Sequence, residues 1–216
     1  MPRENIGKNT DSTPPSSPYI NIEQLARRRK PYPKYLMAKQ IDALLRAIKN
    51  VRDQAIFRLA YHHGLRASEV GMVQMADYTP GTRAGFDRLY VERLKGSVPG
   101  EVYLVPEVAH AIRMWLKRRG NAPGPIFLSR NNRAITRRRL DQLMKHYCKA
   151  AGIPPEKAHF HTLKHTCGTI LLSDRKLPIV QVQRHLGHKS IASTMIYAQL
   201  TDRSDEERAD LLKTWK

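Results

Sequence analysis

The segment HFHTLKHTCG, residues 159–168, concentrates side chains that could bind a metal ion, hold an anion or simply face water. His161 and His165 are four residues apart and would share one face of a helix. Zinc proteases with two helical histidines need a glutamate directly after the first one, and here that position holds Thr162. The sequence therefore predicts no metal site, and an anion clamp and solvated surface charge remain as alternatives.

Three further segments add cations and a tyrosine that could hold and attack a phosphate. HHGLRASEV contains Arg66 and Glu69, ERLKGS contains Lys95, and LGHKSIASTMIYAQ contains His188 and Tyr197. Arginine binds phosphate oxygens through two parallel N–H bonds, and a tyrosine hydroxyl can act as a nucleophile. Taken one at a time, the cations could be surface charges and the tyrosine an ordinary half-buried helix residue.

Composition favours a basic intracellular protein with one domain of ordinary size. The chain has 216 residues, with 38 Lys and Arg against 19 Asp and Glu, and a formal net charge of +19. Such an excess predicts a polyanionic partner, usually nucleic acid, although a merely soluble basic protein is the alternative. We expect no membrane span and no signal peptide. Cys148 and Cys167 form no disulfide framework, which fits a reducing compartment such as the cytoplasm.

The chain divides into a flexible basic N-terminal arm, residues 1–35, and a domain, residues 36–216. The arm is rich in Pro, Ser and charge, which is typical of disorder. Its segment ARRRKPYPKY could contact DNA phosphates and stack on bases, or could be a solvated tail. The cations that we expect to bind DNA here are Arg27, Arg28, Arg29 and Lys30.

Hydrophobic periodicity predicts a mainly α fold with a small antiparallel sheet, of the α+β class. The segment FDRLYVERLKGSVPGEVYLVP has two strand-like runs around a Gly/Pro turn and predicts a hairpin. The predicted helices include one around Ile41 and Ile48, and others at 51–63, from Ala67, from Val108 to Gly120, from Thr136 to 151, at 161–173, 178–186 and 190–199, and a charged helix that closes the chain.

Three consecutive arginines follow Thr136, the predicted N-cap of a helix. Arg137, Arg138 and Arg139 would lie in the first turn, where cations oppose the helix dipole. A nearby phosphate backbone would offset that cost. This triplet is therefore a second predicted DNA contact.

In this order and at these spacings, the segments resemble the tyrosine recombinase family, which includes phage integrases, Xer-type resolvases and fimbrial phase-switch invertases. The resemblance extends from Leu36 to Tyr197, and GLRxSE together with LGHxxxxxTxxY is highly specific. The chain is most similar to the short fimbrial-type invertases, through RASE, RLK, FLSR and HTCG. Like them, it is expected to have no separate core-binding domain before the catalytic domain.

The resemblance implies a catalytic role for several of these residues. Tyr197 would attack a scissile DNA phosphate and form a 3′-phosphotyrosyl link, while Arg66 holds the non-bridging oxygens. His161 and His188 would donate hydrogen bonds or move protons near the phosphate. Lys95 would be the general acid that protonates the departing 5′-oxygen.

Two residues would support this set, and one departs from the family pattern. Glu69 would orient Arg66 from behind, and His165 is interpreted as a packing residue beside the site. The family has His-x-x-Arg where this chain has Lys164 after His161. Lysine keeps the charge but cannot bind two oxygens through a planar fork, which puts the cleavage rate in doubt. Our hypothesis is that His161 and Lys164 form a phosphate clamp.

The resemblance also implies partners and cofactors. The partner would be double-stranded DNA with a specific recombination site, bound by a homo-tetramer, in the cytoplasm of a bacterium or of a phage-infected cell, at the nucleoid. Phosphoryl transfer through a phosphotyrosine needs no ATP, and cationic side chains would replace metal ions, so no cofactor is expected. The charged C-terminal helix would dock on a neighbouring protomer or cap its own domain.

Three functions remain open at this point. The first is an active site-specific recombinase, which the set of five catalytic residues favours. The second is a catalytically weak or inactive DNA-binding regulator, which Lys164 favours. The third is an enzyme similar to type IB topoisomerases, which would relax supercoils without exchanging partners.

Overall fold

The computed structural model describes residues 33–82, 85–94 and 97–200. This part of the chain is mainly helical with a small antiparallel sheet, which confirms the predicted fold class. The predicted arm up to residue 32 and the predicted closing helix after residue 200 lie outside the described residues. The elements are α1 (Ala38–Ala47), α2 (Val51–His63), α3 (Ala67–Met72), β1 (Tyr78–Thr79), β2 (Arg88–Val91), β3 (Gly100–Tyr103), α4 (Pro106–Arg119), α5 (Arg137–Ala150), α6 (Thr162–Ser173), α7 (Ile179–Leu186) and α8 (Ala192–Leu200).

Local capping interactions account for the helix boundaries that the sequence predicted. The Asn50 side chain accepts a hydrogen bond from the Asp53 backbone N–H at 3.1 Å and begins α2. Gly64 ends α2 in the left-handed region, with φ 59°, as its type and position predict. Thr136 Oγ1 accepts from the Arg139 backbone N–H at 3.2 Å, which confirms Thr136 as the N-cap of α5.

The sheet has the order β1-β2-β3, and both pairs are antiparallel. The predicted hairpin is β2 and β3, with Leu89 opposite Val102 and Val91 opposite Gly100. β1 was not predicted, because a strand of two residues has no periodicity to read. Lys95, predicted in the hairpin, falls between the two strands and lies outside the described residues.

The core packs α2 between two other helices. α2 contacts α4 and α6, and its buried Phe57 meets Tyr147 and Phe160 edge to face, with ring centroids 5.5 Å and 5.3 Å apart. A second, smaller cluster joins α6, α7 and α8. Since α2 leads directly into the turn that holds Arg66, burying α2 fixes the position of that turn. No helix in the described part of the chain is long and apolar enough to cross a membrane.

Candidate active site

Arg66 is placed by the tight turn that ends α2. Gly64 must approach α7 closely, because a Cβ there would lie 2.3 Å from Leu186 Cδ2. Leu65 is fully buried and anchors the turn, and Arg66 then becomes the N-cap residue of α3. The backbone N–H of Arg66 donates to Glu69 Oε2 at 2.8 Å, which holds the first turn of α3. The arginine is thus fixed at its backbone while its side chain remains half-buried.

The guanidinium of Arg66 is held by the carboxylate predicted to orient it. Arg66 Nη1 donates to Glu69 Oε1 at 2.6 Å and to Ser97 Oγ at 2.8 Å. Glu69 is buried; burial raises the pKa of its carboxyl, but hydrogen bonds from Arg66 and the charge of Arg93 lower the pKa overall. The ionised Glu69 and its neighbours bind Arg66 through Nη1. The other N–H groups of the guanidinium can therefore donate to an anion.

Tyr197 lies in the small cluster formed by α6, α7 and α8, where the residue is 1% exposed. Its hydroxyl is 3.2 Å from His165 Nδ1, and its ring stacks on His188 with an interplanar angle of 14° and centroids 6.4 Å apart. Gly168 on α6 makes room for it, because a Cβ there would lie 2.6 Å from Tyr197 Cε2. Burial raises the pKa of the Tyr197 hydroxyl, so the hydroxyl is neutral at physiological pH.

His188 is fixed from two sides and is neutral. Its Nδ1 lies 2.9 Å from Thr194 Oγ1, and its carbonyl accepts from Gln183 Nε2 at 3.0 Å. Burial, together with the positive charges of Lys164 and Arg66, lowers the pKa of His188 to about 4. A neutral imidazole can both donate and accept a hydrogen bond, which suits a residue beside a phosphate.

His161 and His165 form the outer part of the site. His161 begins α6, and its ring meets that of His165 edge to face with centroids 4.5 Å apart. The His161 side chain reaches solvent, but surrounding protein atoms partly desolvate it and, with the charge of Lys164, lower its pKa to about 4. Burial likewise lowers the pKa of His165 to about 4. His165 was predicted to pack beside the site, and the structure places it in direct contact with the Tyr197 hydroxyl.

Lys164 points into the protein and not toward the surface. It is 1% exposed, and its Nζ donates to the carbonyl oxygens of Gly64 at 2.7 Å and Leu186 at 2.8 Å. Burial and the charge of Arg93 lower the pKa of Lys164 to about 7. Two of the three ammonium donors therefore bind the backbone, and at most one remains for a phosphate oxygen.

Arg93 is a buried part of the site that the sequence analysis missed. It is 7% exposed and forms an ion pair with Glu69, with Nη1 to Oε2 at 3.3 Å. Its place in the strand-like run VERLK, two residues before Lys95, was the available signal. Thr194 and Ser97 were also given no role, although Thr194 stands inside the LGHxxxxxTxxY segment.

Of the predicted DNA-contact residues, three lie on the surface of α5 and the others lie outside the described residues. Arg137, Arg138 and Arg139 are all exposed in the first turn of α5. Arg137 pairs with Asp141 at 3.8 Å, with 74% of the arginine side chain exposed. The predicted arm cations Arg27, Arg28, Arg29 and Lys30 are not among the described residues, and neither is Lys95.

The cluster combines a tyrosine hydroxyl, neutral imidazoles and fixed cations. Such a set can bind an anion and transfer a proton at a nucleophilic oxygen. Within residues 33–82, 85–94 and 97–200, no group of three or more His, Cys, Asp or Glu side chains could hold a metal ion.

Comparisons with known proteins point to one family. Residues 34–204 match the phage integrase family. The chain is 32% identical over 191 residues to tyrosine recombinase XerC 1 of Ralstonia nicotianae, covering 79% of this chain and 57% of that protein. It is 28% identical over 173 residues to the type 1 fimbriae regulatory protein FimE of Escherichia coli, covering 76% of this chain and 84% of FimE.

Solved structures show the same fold. The XerH site-specific recombinase, in a pre-cleavage complex with difH substrate, superposes with a TM-score of 0.71 at 21% identity. The match covers 87% of this chain and 56% of that one. The chain thus spans little more than half the length of XerC 1 and XerH.

Proposed function

The chain belongs to the phage integrase family, and from this premise we propose that it is a site-specific DNA recombinase. It cuts and rejoins DNA through a 3′-phosphotyrosyl intermediate and thereby integrates, excises or inverts a DNA element. The observation that carries the proposal is the position of Tyr197, whose hydroxyl contacts His165 and whose ring stacks on His188. Lys164 supports placing Arg66 in the same site, since its Nζ binds the carbonyl oxygens of Gly64 and Leu186, two residues before Arg66 and His188.

The proposed reaction is an exchange of phosphodiester bonds. The Tyr197 hydroxyl gives its proton to the neutral imidazole of His161, and its oxygen attacks the scissile phosphorus. A bond forms between the Tyr197 oxygen and phosphorus, and the bond from phosphorus to the 5′-oxygen breaks. Lys95 gives a proton to that 5′-oxygen. Arg66 and His161 bind the non-bridging oxygens, His188 donates a hydrogen bond to the phosphate, and Lys164 adds its remaining donor. Ligation is the reverse, with a 5′-hydroxyl from another strand as the nucleophile.

This scheme needs neither metal nor ATP. Phosphodiester and phosphotyrosyl bonds are exchanged one for one, so no external energy source is consumed. The cations Arg66, Lys164 and Lys95 would stabilise the negative charge on the phosphate, as metal ions do in two-metal nucleases. The hydroxyl of Tyr197 is buried in the described conformation, and it must leave His165 before it can reach a phosphate.

The proposed partner is double-stranded DNA with a specific recombination site, bound by four copies of the chain. The net charge of +19 supports a polyanionic partner, and the solved XerH structures are bound to difH substrate. The arm, Arg27 to Lys30, and the triplet Arg137–Arg139 would contact phosphates outside the cleavage site. We propose that the protein acts at the nucleoid in the cytoplasm.

A suicide substrate tests this proposal. Duplexes that the protein binds are selected from a random library, nicked next to candidate cleavage positions, and incubated with wild type, Tyr197→Phe and the control Tyr103→Phe. Wild type and Tyr103→Phe should form a covalent protein–DNA adduct in EDTA, and Tyr197→Phe should bind DNA without one. An adduct that persists in Tyr197→Phe would show that another residue is the nucleophile, and loss of activity in EDTA would refute the metal-free scheme.

A second function, a DNA-binding regulator with weak or no cleavage, is favoured by one observation. The family has arginine at the position of Lys164, and two of the three Lys164 N–H donors bind backbone carbonyls. Adduct formation by Lys164→Arg but not by wild type would establish this second function. Relaxation of supercoiled plasmid without strand exchange would instead indicate topoisomerase-like activity.

A further inference from the structure

We propose that Arg93 is the positioning residue that aligns three catalytic segments with one another, an inference that rests on the proposed function. The segments are the turn before Arg66, the described ends of the β2–β3 connection at Leu94 and Val98, and the turn before His188. Arg93 reaches none of the reacting atoms itself, because only 3% of its side chain is exposed and its donors face the protein interior.

The first segment is held through its backbone and through Glu69. Arg93 Nη1 lies 3.3 Å from the Gly64 carbonyl oxygen and 3.3 Å from Glu69 Oε2, and Nη2 lies 3.4 Å from the His63 carbonyl oxygen. These carbonyls belong to the end of α2 and the turn that leads into Arg66. The same carboxylate that binds Arg93 with one oxygen binds Arg66 with the other. Arg93 therefore fixes both the chain that carries Arg66 and the carboxylate that orients it.

The second segment is the start of the hairpin connection, where Arg93 itself lies. The next residue, Leu94, donates its N–H to Glu69 Oε1 at 3.3 Å and accepts from Arg66 Nη1 at 3.3 Å. The side chain of Arg93 and the backbone of Leu94 thus anchor the connection to Glu69 from two directions. Lys95 follows immediately in the sequence.

The third segment is the turn between α7 and His188. Arg93 Nη2 lies 3.3 Å from the His185 carbonyl oxygen, and Gly187 packs so closely that a Cβ there would lie 3.0 Å from Arg93 Nε. Val98, on the far side of the hairpin connection, donates its N–H to the Gly187 carbonyl at 2.9 Å. The guanidinium thus lies between the hairpin connection and the turn that leads into His188.

Arginine suits this position better than lysine would. Its planar group carries donors in several fixed directions, and here it meets three carbonyls and one carboxylate that lie around it. An ammonium has three donors and cannot reach four acceptors. We therefore expect Arg93→Lys to keep the charge beside Glu69 and to lose part of the alignment.

Single-turnover cleavage of the nicked substrate provides the first test, with Arg93→Met, Arg93→Lys and the control Arg88→Met. Arg88 lies on the same strand-like run, its side chain is 43% exposed, and its partner is the equally exposed Glu101. We expect Arg93→Met to cleave about 100-fold more slowly, since small misplacements of reacting groups cost about that much. Arg93→Lys should be intermediate, and Arg88→Met should cleave at the wild-type rate. DNA affinity should stay within about threefold in both Arg93 variants, because a buried arginine does not contact DNA. Cleavage by Arg93→Met at the wild-type rate would overturn the proposal.

Amide hydrogen exchange without DNA provides a readout that does not depend on activity. If Arg93 holds the segments together, the amides of Leu94 and Val98 should exchange faster in Arg93→Met than in Arg88→Met, while the amides in the middle of α2 and α5 keep their protection. If the amides of α2 and α5 lose protection as well, Arg93→Met has failed to fold. The exchange of Leu94 and Val98 in Arg93→Lys, compared with Arg88→Met, then tests the proposal. Unchanged exchange of Leu94 and Val98 in a folded variant would refute the positioning role. If wild type forms no adduct at all, the proposed function fails, and the exchange comparison still tests the alignment by Arg93.

Discussion

The ammonium nitrogen of Lys164 lies 2.7 Å from the carbonyl oxygen of Gly64, two residues before Arg66. The same nitrogen lies 2.8 Å from the Leu186 carbonyl, two residues before His188. Lys164 therefore joins the two turns that present the proposed phosphate ligands. Only the third N–H of the ammonium is then free to donate to a phosphate oxygen.

Lys164 is expected to be essential for cleavage and dispensable for DNA binding. Lys164→Ala removes both backbone bonds and a charge near the phosphate, and one charged donor aimed at a developing oxyanion contributes about 100- to 1000-fold in rate. We expect a loss of that size in single-turnover cleavage, with little change in DNA affinity, because the exposed cations remain. Lys164→Arg should cleave at least as fast as wild type, since arginine can also donate to both carbonyls and reaches further. If Lys164→Ala cleaves as fast as wild type, Lys164 neither binds the phosphate with His161 nor positions the two turns through its bonds to the Gly64 and Leu186 carbonyls.

The buried ammonium also predicts how stability depends on pH. Burial first, and then the charge of Arg93, lower the pKa of Lys164 from 10.5 to about 7. Between these values the unfolded state binds more protons than the folded state, so the free energy of unfolding rises with pH. From about pH 7 to pH 8.5 we expect a gain of roughly 1 to 2 kcal/mol from this group, measured by urea unfolding. Lys164→Met should lose this slope, and Lys149→Met, on an exposed position of α5, should keep it; equal slopes in wild type and Lys164→Met would refute the assignment.

Gly168 is expected to tolerate no side chain, because the Tyr197 ring fills the space. A Cβ at Gly168 would lie 2.6 Å from Tyr197 Cε2 and 2.7 Å from Cζ. Gly168→Ala should destabilise the fold by roughly 1 to 3 kcal/mol, as overpacking does, although alanine favours a helix. Gly100→Ala is the control for an added methyl group, since a Cβ there meets no atom within 4 Å. Urea unfolding and adduct formation are the measurements, and a Gly168→Ala variant as stable and active as wild type would contradict this packing.

DNA affinity is expected to fall steeply with salt, because exposed cations would bind DNA phosphates and release counterions. If about 6 to 10 phosphates are neutralised, the slope of log affinity against log salt is roughly −5 to −9. Replacing Arg137, Arg138 and Arg139 by glutamine should make the slope shallower by about 3 units, and replacing Arg27 to Lys30 by glutamine should have a similar effect. The exposed Lys117, in the last turn of α4, serves as the single-site control. A slope that does not change in the Arg27 to Lys30 variant would show that the arm is a solvated tail.

The sequence by itself determined the fold class, most helix boundaries and the family. Gly64 and Thr136 marked helix ends correctly because the αL conformation and the side-chain cap are local effects. The hairpin was also predicted from local pattern, and only the two-residue strand β1 escaped, since it is too short for periodicity. The motif around His188 and Tyr197 identified the family because residue types and spacing are properties of the chain alone.

Tertiary structure decided what each side chain of the site contacts. Arg93 and Glu69 are 24 residues apart in sequence, and Lys164 and Gly64 are 100 apart, so no local pattern could pair them. The sequence suggested that Lys164 and His161 clamp a phosphate, but it gave no sign that Lys164 is buried, with its ammonium bound to carbonyls of two distant turns. Burial also shifted the pKa values of the site, since the lowered pKa of His188 and the raised pKa of Tyr197 arise mainly from desolvation that only packing creates.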